Sequence, residues 1–112
     1  MIEKILMEYL PAALPGVPVY MTLPPKAPVC CAVIEKTGGG TVNHIHHATV
    51  AVQSYGETLL AAAELNEQIK IAMENLTVES AVSACRLNSD YNFTDATAKR
   101  YRYQAVFDIT HD

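Results

Sequence analysis

The sequence has few basic side chains and no long apolar run, and each shortage excludes a class of function. Its 112 residues carry 8 Lys and Arg against 12 Asp and Glu, a formal net charge of −4. Nucleic acids and anionic lipid surfaces bind dense basic patches, so neither is an expected partner. No apolar run approaches the ~18 residues of a membrane span. The N-terminal residues mix charged with apolar side chains, which is not typical of a secretory signal.

Cysteine is scarce as well. The chain has three, Cys30, Cys31 and Cys85, and none forms a CxxC pair. An odd number without that spacing predicts neither a disulfide framework nor a four-cysteine zinc site. We expect these thiols to be small buried hydrophobic groups in a protein of the reducing cytoplasm.

Motifs that carry known catalytic chemistry are also missing. There is no HExxH, no GxSxG and no GK[ST] in the chain. The run Gly38, Gly39 and Gly40 therefore matches neither a P-loop nor a dinucleotide-binding GxGxxG motif. The residues predict no enzyme and no cofactor, and three consecutive glycines predict a flexible loop.

What the sequence does contain is periodic apolar patterning along its whole length. A first helix is predicted over Ile2–Leu14, with Pro11 ending or bending it. The run Ser54–Glu57 matches a capping box, after which a long helix is expected to reach about Asn75. Short strands are predicted over residues 17–21, 29–34, 47–54, 81–91 and 101–109, the first of them at a sheet edge.

These elements predict a single α+β domain over residues 1–112. Its two layers are a mostly antiparallel sheet of four to five strands, and an N-terminal helix with one long central helix on one face. The last strand alternates, with Tyr101 and Tyr103 on one face and Arg100 and Arg102 on the other. We expect the tyrosines to join the core rather than to stack on nucleic acid bases.

Two apolar residues fall on the polar side of the long helix. Leu60 and Ile71 are eleven residues apart. At ~100° per residue, eleven steps make close to three full turns, so the two side chains share one direction among the glutamates. A single exposed leucine is ordinary, whereas two aligned apolar residues predict a surface that binds a partner.

A cluster of histidines is the strongest candidate for a metal site. His44 and His46 point the same way on an extended chain, with His47 beside them and Cys30 or Cys31 as the nearest thiols. No carboxylate lies within seven residues of the cluster. We therefore favour a polar strand entrance with no metal, and a small metal-binding protein is the alternative function.

Several runs taken together resemble a known family. They are Pro18-Val19-Tyr20-Met21, the prolines at 24, 25 and 28, Val33-Ile34-Glu35-Lys36-Thr37-Gly38-Gly39-Gly40, the run from Ala48 to Gly56, Asn88-Ser89-Asp90-Tyr91-Asn92-Phe93-Thr94-Asp95, and the run from Arg100 to Asp108. Their order and spacing, more than any one motif, resemble small tail proteins encoded by siphophages and prophages of Gram-positive bacteria. The similarity spans nearly the whole chain.

The resemblance implies a tail terminator or head–tail joining protein. Such a subunit forms a ring, expected to be a hexamer, on the end of the tail tube. The ring stops polymerisation of the tail tube protein and presents a surface to the head completion or connector protein. The implied location is the tail or neck of the virion, assembled in the host cytoplasm.

A ring subunit contacts copies of itself and partners above and below, which suits flexible loops that order on docking. We therefore expect the Leu60 and Ile71 stripe and two loops to form the interfaces. The candidate loop residues are Gly38, Gly39, Gly40, Asn43 and His44 in residues 37–46, and Phe93 and Asp95 in residues 93–98. A regulatory or adaptor domain of the host is the remaining alternative.

Overall fold

Five strands form one mixed sheet, and two helices pack on one of its faces. The computed structural model describes all 112 residues. The elements are α1 (Ile2–Ala13), β1 (Val19–Tyr20), β2 (Cys31–Val42), β3 (Ile45–Gly56), α2 (Leu59–Glu74), a 3₁₀ turn (Leu76–Val78), β4 (Val82–Asn92) and β5 (Tyr101–His111). The strand order is β1-β2-β3-β5-β4. Only β1 and β2 are parallel, so the predicted α+β fold is confirmed.

The main core lies between the helices and one face of the sheet. Residues three and four apart along α1, among them Leu6 and Leu10, are fully buried. In α2 the buried stripe includes Ile69 and Met73, as the periodicity predicts. Alternate residues of the central strands, such as Val50, complete this cluster. No helix has both the length and the apolar character that crossing a bilayer requires.

Pro11 does not end the first helix. The helix continues to Ala13, because proline near a helix end removes a single backbone hydrogen bond and its ring here is exposed. Two residues earlier, the Tyr9 hydroxyl donates to the carbonyl oxygen of Ala72 at 2.6 Å and joins α1 to α2. Burial, with a smaller effect from Glu79, raises the pKa of Tyr9 above its usual value.

The long helix begins later than the capping box predicts. Thr58 is the N-cap, and its hydroxyl accepts from the backbone N–H of Ala61 at 3.0 Å. Ser54 instead lies inside β3, fully buried and paired with Ala32 and Tyr103. The capping-box prediction was wrong because Ser54 pairs with strands on both sides, and this pairing supplies its backbone hydrogen bonds. At the start of a helix, side chains would have to supply such hydrogen bonds instead.

The three glycines form part of a strand, so the prediction of a flexible loop was wrong. Gly38, Gly39 and Gly40 pair with Thr49, Ala48 and His47 in the β2–β3 hairpin. At Gly39 an added Cβ would lie 3.1 Å from the His47 carbonyl oxygen and 2.9 Å from the Lys36 side chain. A close approach of this kind is one reason for glycine inside a strand.

The expected burial of the C-terminal tyrosines was also wrong in part. Tyr101 is 44% exposed and Tyr91 41%, although Phe107 on the same sheet is 2% exposed. Tyr101 pairs with Gly56 at the last position of β3, and Tyr91 pairs with Gln104 on β5. The rings therefore contribute to a surface, and Phe107 is the aromatic residue of the main core.

A small second cluster covers part of the other face of the sheet. Cys31, Val33 and Tyr55 are buried there beneath residues 21–30, the proline-rich connector between β1 and β2, through Leu23 and Ala27. Cys31 is thus buried as predicted, whereas Cys30 is exposed and Cys85 is half-buried. The prediction for Cys30 was wrong because Cys30 lies in a bend before β2 begins, where its side chain is exposed.

We expect one of the three thiols to react quickly with a disulfide reagent at pH 8. Burial raises the pKa of Cys31, and burial together with Asp108 raises the pKa of Cys85 to about 11. About 0.1% of the Cys85 thiol is then ionised at pH 8, and the thiolate is the reacting form. Absorbance on treatment with DTNB should show one fast equivalent, assigned to Cys30, and three after denaturation. A Cys30→Ser variant that retains the fast equivalent would contradict this assignment.

Candidate assembly surfaces

The outer side of α2 carries exposed apolar residues surrounded by carboxylates. Leu60 is 68% exposed and Ile71 61%. Glu64, Glu67 and Glu74 are exposed on the same helix and lie within about 40° of the same direction at 100° per residue. We call these five residues the α2 ridge. The exposure predicted for Leu60 and Ile71 is confirmed, and the ridge has no basic residue.

Lys70, a base beside the ridge, is already engaged. Lys70 Nζ lies 2.7 Å from Glu67 Oε1 and 3.4 Å from Asp90 Oδ2. Asn66 Nδ2 also donates to Asp90 Oδ1 at 3.3 Å, so this network connects α2 with the edge strand β4. The hydrogen bond to Glu67, aided by Asp90, raises the pKa of Lys70. Arg86 of β4 is the other base here, and it lines a pocket with Glu67, Ile71 and Glu74. The ridge itself presents three carboxylates and two apolar groups to its surroundings.

The β2–β3 hairpin projects from the body of the protein. Every residue from Glu35 to His47 is exposed, and the molecule measures 44 × 26 × 23 Å. Asn43 and His44 form the two-residue turn, with φ of 51° and 66°. Positive φ at both positions is typical of a type I′ turn, which matches the twist of paired strands. Val42 and Ile45 pair beside the turn and are 60% and 49% exposed.

The histidines near the hairpin turn do not converge on one point. His46 Nδ1 lies 3.1 Å from Thr41 Oγ1, and its ring stacks on His111 with centroids 5.4 Å apart. His47 follows on the opposite face of β3, where Nδ1 lies 3.4 Å from Thr110 Oγ1. Nowhere do three or more His, Cys, Asp or Glu side chains form a group that could hold a metal ion.

The suggested thiol ligands also lie elsewhere. Because β2 and β3 are antiparallel, Cys31 pairs with Tyr55 at the far end of β3, and His46 pairs with Thr41. β2 does lie alongside β3, but Cys31 is far from His44 and His46 along the hairpin, so the alternative of a His-x-His site completed by a cysteine finds no support. A hairpin brings together only residues at equal distances from its turn. The sequence did not show that the turn lies at Asn43 and His44, so it did not show how far Cys31 lies from the histidines.

The β4–β5 loop is held by its own hydrogen bonds, which the prediction of a disordered loop did not anticipate. Asp95 Oδ1 accepts from the backbone N–H groups of Thr97 at 2.9 Å and Ala98 at 3.1 Å. Asp95 also forms an isolated bridge with Arg100. The carbonyl oxygen of Phe93 accepts from Arg102 Nε at 2.6 Å. Asp95 therefore shapes the loop rather than offering a free carboxylate.

A row of polar side chains crosses the uncovered sheet face, and the sequence gave no signal for it. Gln53 Nε2 donates to Gln104 Oε1 at 2.6 Å and lies 3.4 Å from Glu35 Oε2. Gln104 Nε2 in turn donates to the Tyr91 hydroxyl at 2.6 Å. The row connects β2, β3, β5 and β4, and Gln53 and Gln104 are both buried. Only strand order and register could have brought these four residues together.

The candidate residues thus fall into three separate places. Leu60 and Ile71 lie on α2, residues 38–40, 43 and 44 lie on the hairpin, and Phe93 and Asp95 lie on the β4–β5 loop. No protein-family model matches the chain, and a search of curated proteins finds no match either. What bears on function is therefore the chemistry of these exposed surfaces.

Proposed function

We propose that this chain is a structural protein of a phage or prophage virion, located at the head–tail interface. It acts as a tail terminator that caps the tail tube as a ring, ends polymerisation of the tube and presents a surface for head joining. The observation that carries the proposal is the α2 ridge. Large apolar side chains aligned on an otherwise acidic helix face leave apolar area exposed unless a partner covers it.

The resemblance described above supports the same function, since the similar runs extend through the strands and the β4–β5 loop. Closed rings are built from heterologous contacts, in which one face of a subunit meets a different face of its neighbour. The ridge supplies one such face. The projecting hairpin supplies a second surface with its own exposed apolar pair, Val42 and Ile45, for the tail tube protein or the head completion protein.

Replacing Leu60 with glutamate tests the proposal in the phage that encodes this chain. We expect tails of irregular length that fail to join heads, because a fourth carboxylate on the ridge opposes burial of the apolar stripe. Electron microscopy of lysates measures tail length and the fraction of joined particles. Val78→Glu is the matched control, since Val78 is 77% exposed and lies outside the ridge. Normal tails joined to heads in the Leu60 variant would contradict the proposed interface.

Native mass spectrometry tests the ring and the metal alternative together. Six copies of the 12.2-kDa chain give a closed ring of about 73 kDa. We expect that mass, unchanged by chelation before spraying. A monomer that carries one zinc ion removable by a chelator, and that loses it in a His44→Ala variant, would instead favour a small metal-binding protein.

A further inference from the structure

One end of the sheet collects a large share of the few basic side chains. Four of the chain's eight Lys and Arg residues, Lys26, Lys99, Arg100 and Arg102, lie in the connector and in the β4–β5 segment that meet there. Val29 and Tyr101 add apolar area, at 56% and 44% exposure. We call the surface formed by Lys26, Val29, Lys99, Arg100 and Tyr101 the basic end.

The basic end is fixed in shape by Arg100. Its Nη2 donates to the carbonyl oxygens of Pro28 at 2.9 Å and Val29 at 3.4 Å, across more than seventy residues of sequence. The guanidinium also lies over the Tyr55 ring, 4.7 Å from its centroid. These contacts hold the connector against the β5 strand. A surface that is already ordered loses less conformational entropy when it binds.

A shallow pocket of about 270 Å³ opens in this surface. Val29, Lys99, Arg100 and Tyr101 line it, and Glu57 is the one carboxylate among the lining residues. The pocket therefore combines exposed apolar walls with a net positive charge. Aromatic and arginine side chains around a small pocket are the composition enriched at the centres of protein interfaces.

The basic end and the α2 ridge are complementary in charge, and both expose apolar groups. The ridge offers two apolar side chains among three glutamates. The basic end offers an apolar pocket beside Lys99. Lys26 is next in sequence to Ala27, which also lines that pocket. Two ridges placed face to face would instead bring glutamates against glutamates, which costs free energy at close range. Charge therefore favours a contact between unlike faces.

We propose that the α2 ridge of one copy of this chain docks on the basic end of the next copy. This inference rests on the proposed function, because it specifies the contact that would repeat around the ring. The edge strand β1 offers the ridge a smaller surface, since it has two residues, Val19 and Tyr20, and both are half-buried.

Two variants that each disable one face test the contact. Leu60→Asp with Ile71→Asp removes the ridge, and Lys99→Glu with Val29→Asp removes the basic end. Each protein alone should associate at least about tenfold more weakly than the wild type. All its copies lack the same face, so no ridge can dock on a basic end. An equimolar mixture should form 1:1 dimers and nothing larger, which native mass spectrometry and sedimentation velocity would detect.

Matched controls carry the same charge changes elsewhere. Lys4→Glu and Val78→Asp alter residues that are exposed outside both faces, and they should leave association unchanged. Circular dichroism should confirm that every variant folds. Dimers of the basic-end variant alone would show ridge-to-ridge contact and overturn the inference. A mixture that stays monomeric would overturn it as well. So would a wild type that is monomeric at its highest soluble concentration.

Failure of the proposed function would be seen in a different experiment. A phage that lacks this chain and still makes tails of normal length joined to heads would exclude the tail role. The mixing experiment could still yield the 1:1 dimer in that case. The contact between copies and the place of the protein in the virion are therefore tested independently.

Discussion

Gly56→Ala is expected to lower the free energy of unfolding by about 3 kcal/mol. Gly56 is the last residue of β3, immediately before α2, and it is buried. A Cβ at this position would lie 2.4 Å from the backbone nitrogen of Ala62 and 2.8 Å from the backbone carbon of Ala61. Both atoms belong to the first turns of α2. Because they are backbone atoms, no rotamer change can relieve the clash, and the helix has to shift.

Urea denaturation followed by circular dichroism measures this effect. Gly40→Ala is the matched control, because no heavy atom lies within 4 Å of a Cβ added at Gly40. It should change the free energy of unfolding by about 0.5 kcal/mol or less. If the two variants were equally stable, the start of α2 would not pack directly against Gly56.

The long helix was the element that sequence reasoning predicted best. Its buried stripe and the exposure of Leu60 and Ile71 follow from a 3.6-residue period, which depends on the chain within the helix alone. Its start was misplaced because the Ser54–Glu57 pattern is local, whereas the fate of Ser54 depends on β2 and β5 pairing on either side. Local patterns predict a helix well, but they do not include competition from distant strands.

Long-range pairing also explains the other errors. Gly38, Gly39 and Gly40 have low intrinsic preference for a strand, yet β3 pairs with each of them. The parallel alignment of β1 with β2 joins Val19 to Ala32 across the proline-rich connector, which contains no periodic signal. Such contacts form because the whole sheet gains hydrogen bonds and buried area, and no short window of sequence contains that gain.

Of the two surfaces in the proposed contact, one is formed by a single local element and the other by segments distant in sequence. The α2 ridge lies on one helix and was predictable from spacing. The basic end combines the connector around Val29 with Lys99, Arg100 and Tyr101, residues about seventy positions later. The alternation of arginines and tyrosines from Arg100 to Tyr103 is visible in the sequence. Only the fold shows that Arg100 faces back to the connector and shapes a surface there.

A second large effect is expected from the buried amide pair on the open sheet face. Replacing Gln104 with methionine removes the acceptor that lies 2.6 Å from Gln53 Nε2 and the donor to the Tyr91 hydroxyl. Gln53 would keep only the 3.4 Å contact with Glu35 while remaining buried. A buried donor without a good acceptor costs about 1–3 kcal/mol, so we expect a loss of about 2 kcal/mol.

The double variant Gln53→Met, Gln104→Met should be less destabilised than the sum of the two single variants. With both amides replaced by apolar chains of similar length, no buried amide is left unpaired at these two positions, and the coupling should reach about 1–2 kcal/mol. Urea denaturation of all four proteins in the cycle measures it, with Gln68→Met as the matched control because Gln68 is exposed. Additivity within about 0.5 kcal/mol would mean that the two amides do not depend on each other. Strong coupling would mean that the two amides stabilise the pairing of β3 with β5 through their contact with each other.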